Sequence, residues 1–392
     1  MPLTHRELAK VVGNNARQRG RDPYKYVGGK VLAWHAPPVV KAKAKNPLSV
    51  ARFLRAVPRV FDSLPLWAQI NVTWKCNLAC GYCTEYDNAK GHVPFAEVVA
   101  RIDKCKELGV IHTDLIGGEP LLHPDIIPLM HHVRGQGMTT GMTTNGFLLT
   151  QEKLDELIDT GMGRIQISVD ALSPSTGTPK SLKTLRSKIE MVARRGLWFY
   201  VAAVICEQTL DEISALAEFC FELKVPIFFA VVHDRGRIVP GPSSARYLEK
   251  VRWLRDQKRM GRPVSNPYYL LDYYERLLSG QPLSWKCQGG RKAFYVSPEG
   301  NFHFCYHTDA VGRFADVTRA QIKRNREAKG CEAGCGVDCM VRTSLPFSRR
   351  GWVIGSEVVE RVRGLGRSLG LTGERRTSGS LDSSSPGTPP RR

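Results

Sequence analysis

AQINVTWKCNLACGYC, residues 68–83, carries an alternating, β-branched run straight into a loop with cysteines at 76, 80 and 83. The run reads as a buried strand, and a similar unit then recurs: a short apolar segment, a polar or glycine-rich turn, and a stretch with apolar residues at helical spacing. Strands are predicted at 68–74, 113–116, 139–144, 164–169, 199–206 and 227–232. Helices are predicted between and after them at 95–108, 125–134, 151–160, 181–195, 210–223 and 243–260. In the first helix Phe95, Val98, Val99, Ile102 and Cys105 share a face. Such alternation gives an α/β fold, a parallel sheet with helices outside, either a barrel or a doubly wound sheet. In a barrel, function gathers where strands run into loops. Here those ends hold the cysteine loop, Gly117-Gly118-Glu119-Pro120, Thr144-Asn145-Gly146 and Ser168-Val169-Asp170.

The chain has 392 residues and eleven cysteines. An odd, clustered set behind a first ten residues (MPLTHRELAK) without an apolar core fits metal ligation in a reducing cytoplasm better than a disulfide framework. The longest apolar runs, 197–206 and 225–232, fall short of the roughly 20 residues needed to cross a bilayer. The formal charge of +20 is uneven: residues 1–67 hold 13 Lys/Arg against 3 Asp/Glu, and 364–392 hold 5 against 2. Much of the excess therefore lies outside the cysteine-bearing segment, which argues against a fold built to grip nucleic acid. Residues 1–67 are read as a basic N-terminal extension. Within it LSVARFLRAVPRVF, 48–61, has an apolar and a basic side; it suits either peripheral contact with an anionic membrane or capping of the sheet's lower end. The Lys41–Lys45 run reads as a solvated linker.

Beyond 260 the alternation stops. A helix at 268–279 leads to a second cysteine segment, Cys287 to Cys339, with a hairpin from AFYV (293–296) to FHFC (302–305). From Gly364 the chain turns rich in Ser, Gly, Pro and Arg and is expected to lack fixed structure.

Thiolates at the density of Cys76, Cys80 and Cys83 select soft metals or iron–sulfur clusters. On residues alone, a zinc site borrowing His92 or Cys105, or a disulfide with a spare thiol, stays open. CxxxCxxC with an aromatic before its third cysteine, followed in order by GGEP (117–120), TTNG (143–146) and ISVD (167–170), resembles the radical S-adenosylmethionine (SAM) superfamily over roughly residues 68–235. The resemblance implies a partial (β/α)6 TIM-type barrel over 68–260. It implies that Cys76, Cys80 and Cys83 hold three irons of a [4Fe–4S] cluster while SAM occupies the fourth. Gly117, Gly118 and Glu119 would meet the methionine ammonium, Ser168 and Asp170 the ribose, Tyr82 the adenine, and Asn145 would lie beside the cofactor at its strand end. For Ser168 and Asp170 a strand-end or helix cap, and for Tyr82 packing on its own loop, explain the residues equally. The chemistry implied is reductive cleavage of SAM to a 5′-deoxyadenosyl radical that takes hydrogen from a substrate, with a flavodoxin or ferredoxin as electron donor.

In the second segment Cys287, a gap, Gly300, four residues and Cys305 resemble the start of the SPASM or twitch auxiliary-cluster region, assigned to 261–345 as a small cysteine-rich C-terminal extension; 346–392 is read as a C-terminal extension. Five cysteines suffice for one auxiliary [4Fe–4S] cluster. The expected ligands are Cys287, Cys305, Cys335 and Cys339, with Cys331 left over. A zinc knuckle using His303 or His307 is the competing reading. Cys105 and Cys220 fall on apolar helix faces. Cys206 ends a strand, where it is either core or a hydrogen-atom donor. The substrate is a peptide by analogy with relatives that carry such clusters, or a small molecule or lipid precursor. A nucleic-acid-binding iron–sulfur protein and an electron-transfer scaffold are the alternatives from other classes.

Overall fold

The computed structural model describes residues 64–368 apart from 176, 235 and 239–243. The basic segment 1–63, with the amphipathic stretch 48–61, and the tail beyond 368 lie outside the described residues.

Six parallel strands follow the predicted pattern closely: β1 (Trp67–Thr73), β2 (His112–Gly117), β3 (Thr139–Thr144), β4 (Arg164–Ser168), β5 (Phe199–Ile205) and β6 (Ile227–Val231). They pair in chain order from β1 to β6 with no reversal, the topology of a barrel rather than a doubly wound sheet. Among the described strands β6 does not pair back to β1, so the barrel is open. Ile70 and Val72 of β1, Leu115 of β2 and Ile165 and Ile167 of β4 are buried, as expected of strands covered on both faces.

Helix α1 (Phe95–Leu108) buries Val98, Ile102, Cys105 and Leu108 and stops at Gly109, whose φ of 91° suits a residue without a side chain. Phe95, expected on the buried face, is exposed because it opens the helix, one turn short of the sheet contact. The later barrel helices are α2 (Ile126–Gly135), α3 (Gln151–Asp159), α4 (Leu182–Arg195), α5 (Ile213–Glu222) and α6 (Ser244–Arg259). Thr150 and Ser181 cap α3 and α4 by accepting the amides of Lys153 and Thr184. A two-residue ladder, β7 (His233–Asp234) with β8 (Arg237–Ile238), and α7 (Tyr268–Leu278) complete this part.

The C-terminal cysteine region extends the barrel sheet instead of standing beside it. β9 (Ala293–Val296) runs parallel to β1 with Ile70 opposite Val296, and β10 (Asn301–His303) and β11 (Ala310–Arg313) follow antiparallel. All four β9 residues are buried, the signature of a strand covered on both faces. Arg101 of α1 clamps the β9–β10 turn, donating to the Ser297 carbonyl at 3.2 Å and the Pro298 carbonyl at 2.9 Å. Helices α8 (Arg319–Arg324), α9 (Asp338–Ser348) and α10 (Arg350–Ser368) end the described chain. The expectation of no fixed structure from Gly364 is corrected here, since α10 continues through it to Ser368. Upstream, Glu360 of this helix ion-pairs with Arg259 of α6, a tertiary anchor that glycine content does not reveal. Among the described residues no helix is long and apolar enough to cross a membrane.

Candidate metal centres

The first centre grows from the carboxyl end of β1. The chain leaves at Thr73, whose hydroxyl accepts the Lys75 amide at 3.0 Å, and wraps back until Asp87 N donates to Trp74 O at 2.9 Å. Inside that wrap Asn88 accepts the Cys76 amide at 2.9 Å, Cys83 N donates to Cys80 O at 3.0 Å, and Leu78 N points at Cys76 Sγ from 3.4 Å. All three thiols are free. Burial pushes the Cys76 thiol up to about 12, and burial also raises Cys80 and Cys83. The three thiols share one loop, and a cationic centre would favour their thiolate forms. The donor set fits three sites of an iron–sulfur cluster.

β2 supplies the next layer. Gly118 N donates to Thr73 O at 3.0 Å and Glu119 N to Lys75 O at 2.8 Å, continuing the β1–β2 pairing into the cysteine loop. A Cβ on Gly117 would lie 2.6 Å from Thr73 O, and one on Gly118 2.5 Å from Lys75 O. The glycines are thus required by the loop's own backbone, a reason independent of any cofactor. Glu119 is fully buried. Its carboxylate accepts from Thr144 Oγ1 at 2.7 Å, Leu121 N at 3.0 Å and Asn145 N at 2.7 Å. Burial, only partly offset by these donors, raises its pKa to about 7. Asn145 passes the link on, its side-chain amide donating to Asn77 Oδ1 at 2.8 Å within the cysteine loop.

At β4 the structure separates the two residues the sequence paired. Asp170 is buried and fully engaged: it accepts from Val204 N at 3.0 Å, Thr178 Oγ1 at 3.2 Å and the Tyr82 hydroxyl, with Lys180 Nζ at 3.0 Å. Tyr82 is thereby tied to the segment after β4, its ring 5.0 Å from the Lys180 ammonium. Ser168 is half-buried at the strand end. Thr178 and Lys180 had no signal in the sequence, because a loop that folds back on another loop leaves no periodicity.

In the C-terminal region Cys287, Cys305, Cys331 and Cys335 line one cavity of about 600 Å³. Cys331 lines this cavity and Cys339 does not, although Cys339 lies near enough to Cys305 and Cys335 for their charges to act on it. Cys335 follows the short turn Glu332–Gly334, whereas Cys339 sits in the first turn of α9, so equal sequence spacing leads in different directions. Glu332 organises the turn: its carboxylate accepts the amides of Lys329 at 2.7 Å and Cys287 at 3.3 Å, and its carbonyl accepts Trp285 Nε1 at 3.0 Å. Tyr273 holds the Cys335 carbonyl at 2.9 Å. Burial pushes the Cys305 thiol up to about 12 and raises Cys287 and Cys335. A zinc knuckle requires ligands about 2.0–2.3 Å from one point. Among the described residues no three His, Cys, Asp or Glu side chains converge so, and His303 Nδ1 is engaged with the Thr308 carbonyl at 2.8 Å. Four cysteines on one cavity fit the donor set of an iron–sulfur cluster.

Of the other cysteines, Cys105 and Cys220 are fully buried in the core. Cys206 is also buried, its Sγ 3.3 Å from the Thr209 hydroxyl in the turn that ends β5, which favours a structural place over hydrogen-atom donation.

Residues 70–220 match the Radical SAM superfamily. A PqqA peptide cyclase from Bradyrhizobium diazoefficiens is 26% identical over 270 residues, spanning 63% of this chain and 68% of that protein. The PqqA peptide cyclase from Rhizobium meliloti is 25% identical over 277 residues, 67% of this chain and 72% of that protein. Two solved structures share the fold. SuiB of Streptococcus suis, bound to its precursor peptide SuiA, superposes with a TM-score of 0.54 at 15% identity, covering 85% of this chain and 82% of its own. Native anSMEcpe with bound AdoMet gives 0.54 at 16% identity, covering 78% and 99%.

Proposed function

The chain belongs to the radical SAM superfamily, and from that premise we propose that it modifies a peptide, with Cys76, Cys80 and Cys83 holding the SAM-binding cluster and Cys287, Cys305, Cys331 and Cys335 an auxiliary one. When bound, the [4Fe–4S] cluster with SAM at its fourth iron supplies the electron that cleaves SAM to a 5′-deoxyadenosyl radical, the agent of hydrogen abstraction.

The observation that carries the reading is the joining of three strand ends around a three-thiol loop: β1 gives the thiols, β2 gives Glu119 and β3 gives Asn145, which returns to Asn77. That frame holds three sulfurs and leaves a fourth coordination place to a ligand from outside the chain. In this proposal Gly117, Gly118 and Asn145 would help hold SAM there, and Ser168 would meet the ribose because Asp170 is engaged with protein donors. A flavodoxin or ferredoxin is the electron donor of this proposal. The peptide substrate rests on the PqqA peptide cyclases, the relatives whose sequences align over about two thirds of the chain.

The test is to incubate the anaerobically reconstituted protein, SAM and reductant with a peptide encoded beside its gene, and to follow peptide mass and 5′-deoxyadenosine together. A mass change coupled to deoxyadenosine supports the proposal. Deoxyadenosine formed with the peptide unmodified, but stimulated by a small-molecule fraction, would reject the peptide assignment.

A further inference from the structure

The segment that follows β4 closes on the cysteine loop through contacts that thiol ligation does not itself require. Gly81 N donates to Gly177 O at 3.0 Å. Thr178, almost fully buried, donates to Asp170 at 3.2 Å. Lys180 places its Nζ 3.0 Å from Asp170 Oδ2 and 5.0 Å from the centre of the Tyr82 ring, with only 13% of its side chain exposed. A lysine taken this far out of water is costly unless its charge meets opposite charge. Asp170 alone would balance it, yet the pair stands against Tyr82, between Cys80 and Cys83.

We propose that Lys180 is a positioning residue of the first metal centre: fixed by Asp170 over Tyr82, its ammonium offsets the negative charge gathered on the Cys80–Cys83 side and raises the reduction potential of the cluster bound there. The inference rests on the reading of Cys76, Cys80 and Cys83 as cluster ligands. Reduction adds one negative charge to a cluster already carrying thiolates, so a nearby fixed cation favours the reduced form. The charge is well held. Its ion pair with Asp170, 3.0 Å away, fixes the ammonium in place.

Because the two partners carry opposite charge, they predict opposite signs, which a merely structural role would not. The experiment is a potentiometric titration of the anaerobic holoenzyme without SAM, followed by electron paramagnetic resonance, the first centre being identified as the signal that changes when SAM is added afterwards. Lys180→Met is expected to move that midpoint to lower potential and Asp170→Asn to higher potential, while Lys180→Arg and Tyr82→Phe stay at the wild-type value, all with unchanged iron content. Midpoints that do not move, or that move in the same direction in K180M and D170N, would overturn the proposal. So would a K180M protein altered only in its affinity for SAM. If K180M fails to retain iron, Lys180→Arg decides: normal iron and potential support a required cation, and iron loss there too rejects it. A wild-type protein with no SAM-responsive cluster would instead reject the ligand reading on which the inference stands.

Discussion

Glu119 accepts the backbone amide of Asn145 at 2.7 Å, and this one bond ties the end of β2 to the end of β3 beside the cysteine loop. The carboxylate is fully buried and its pKa is raised from the ordinary 4.5 to about 7. A carboxyl whose folded pKa lies above its unfolded value binds more protons in the native state, so its contribution is fully present below the unfolded pKa and is lost as pH rises through the folded one. Thermal unfolding should therefore show stability falling between about pH 4.5 and pH 7, by on the order of 3 kcal/mol from this group. Glu119→Gln should flatten that slope. An unchanged pH slope in the variant would assign the effect elsewhere.

Gly118 has no room for a side chain. A Cβ would sit 2.5 Å from Lys75 O and 3.0 Å from Cys76 Cβ, both parts of the cysteine loop. Gly118→Ala should displace that loop and lower iron from roughly eight to roughly four atoms per chain, the auxiliary centre being spared. Iron analysis of the folded variant checks this, and full iron content would show that the loop yields without harm.

Cys331 and Cys339 are distinguished by the cavity that one lines and the other does not. Cys331→Ala should lose the auxiliary cluster's iron, whereas Cys339→Ala should keep it. The reverse pattern of iron content would restore the ligand set that spacing alone suggested.

Arg101 joins α1 to the β9–β10 turn through two carbonyls. Removing a buried, charge-assisted pair of bonds costs about 1.5–3 kcal/mol. Arg101→Ala should lower the unfolding free energy by that amount, and the auxiliary cluster should become more labile than the first. Equal loss of both centres would mean that the turn does not matter specifically to the C-terminal region.

The barrel was legible because β-branched runs and helical apolar spacing are local signals, and β1 to β6 stand close to where those signals put them. The neighbour of β9 was not legible, since period-two patterning says that AFYV is a strand but not that it lies beside β1. Cys76, Cys80 and Cys83 could be read from one loop. Cys331 and Cys339 could not be told apart, because three residues separate each from Cys335. Asp170 could be noticed but its surroundings could not: its partners Tyr82, Thr178, Lys180 and Val204 come from three other places in the chain.

The central claim, a three-thiol loop that leaves one coordination place for SAM, is tested most directly by incubating the anaerobically reconstituted protein with SAM and dithionite and measuring 5′-deoxyadenosine. The wild type should form it together with methionine, and Cys83→Ala should form none; a wild type with its cluster assembled and no deoxyadenosine would contradict the account.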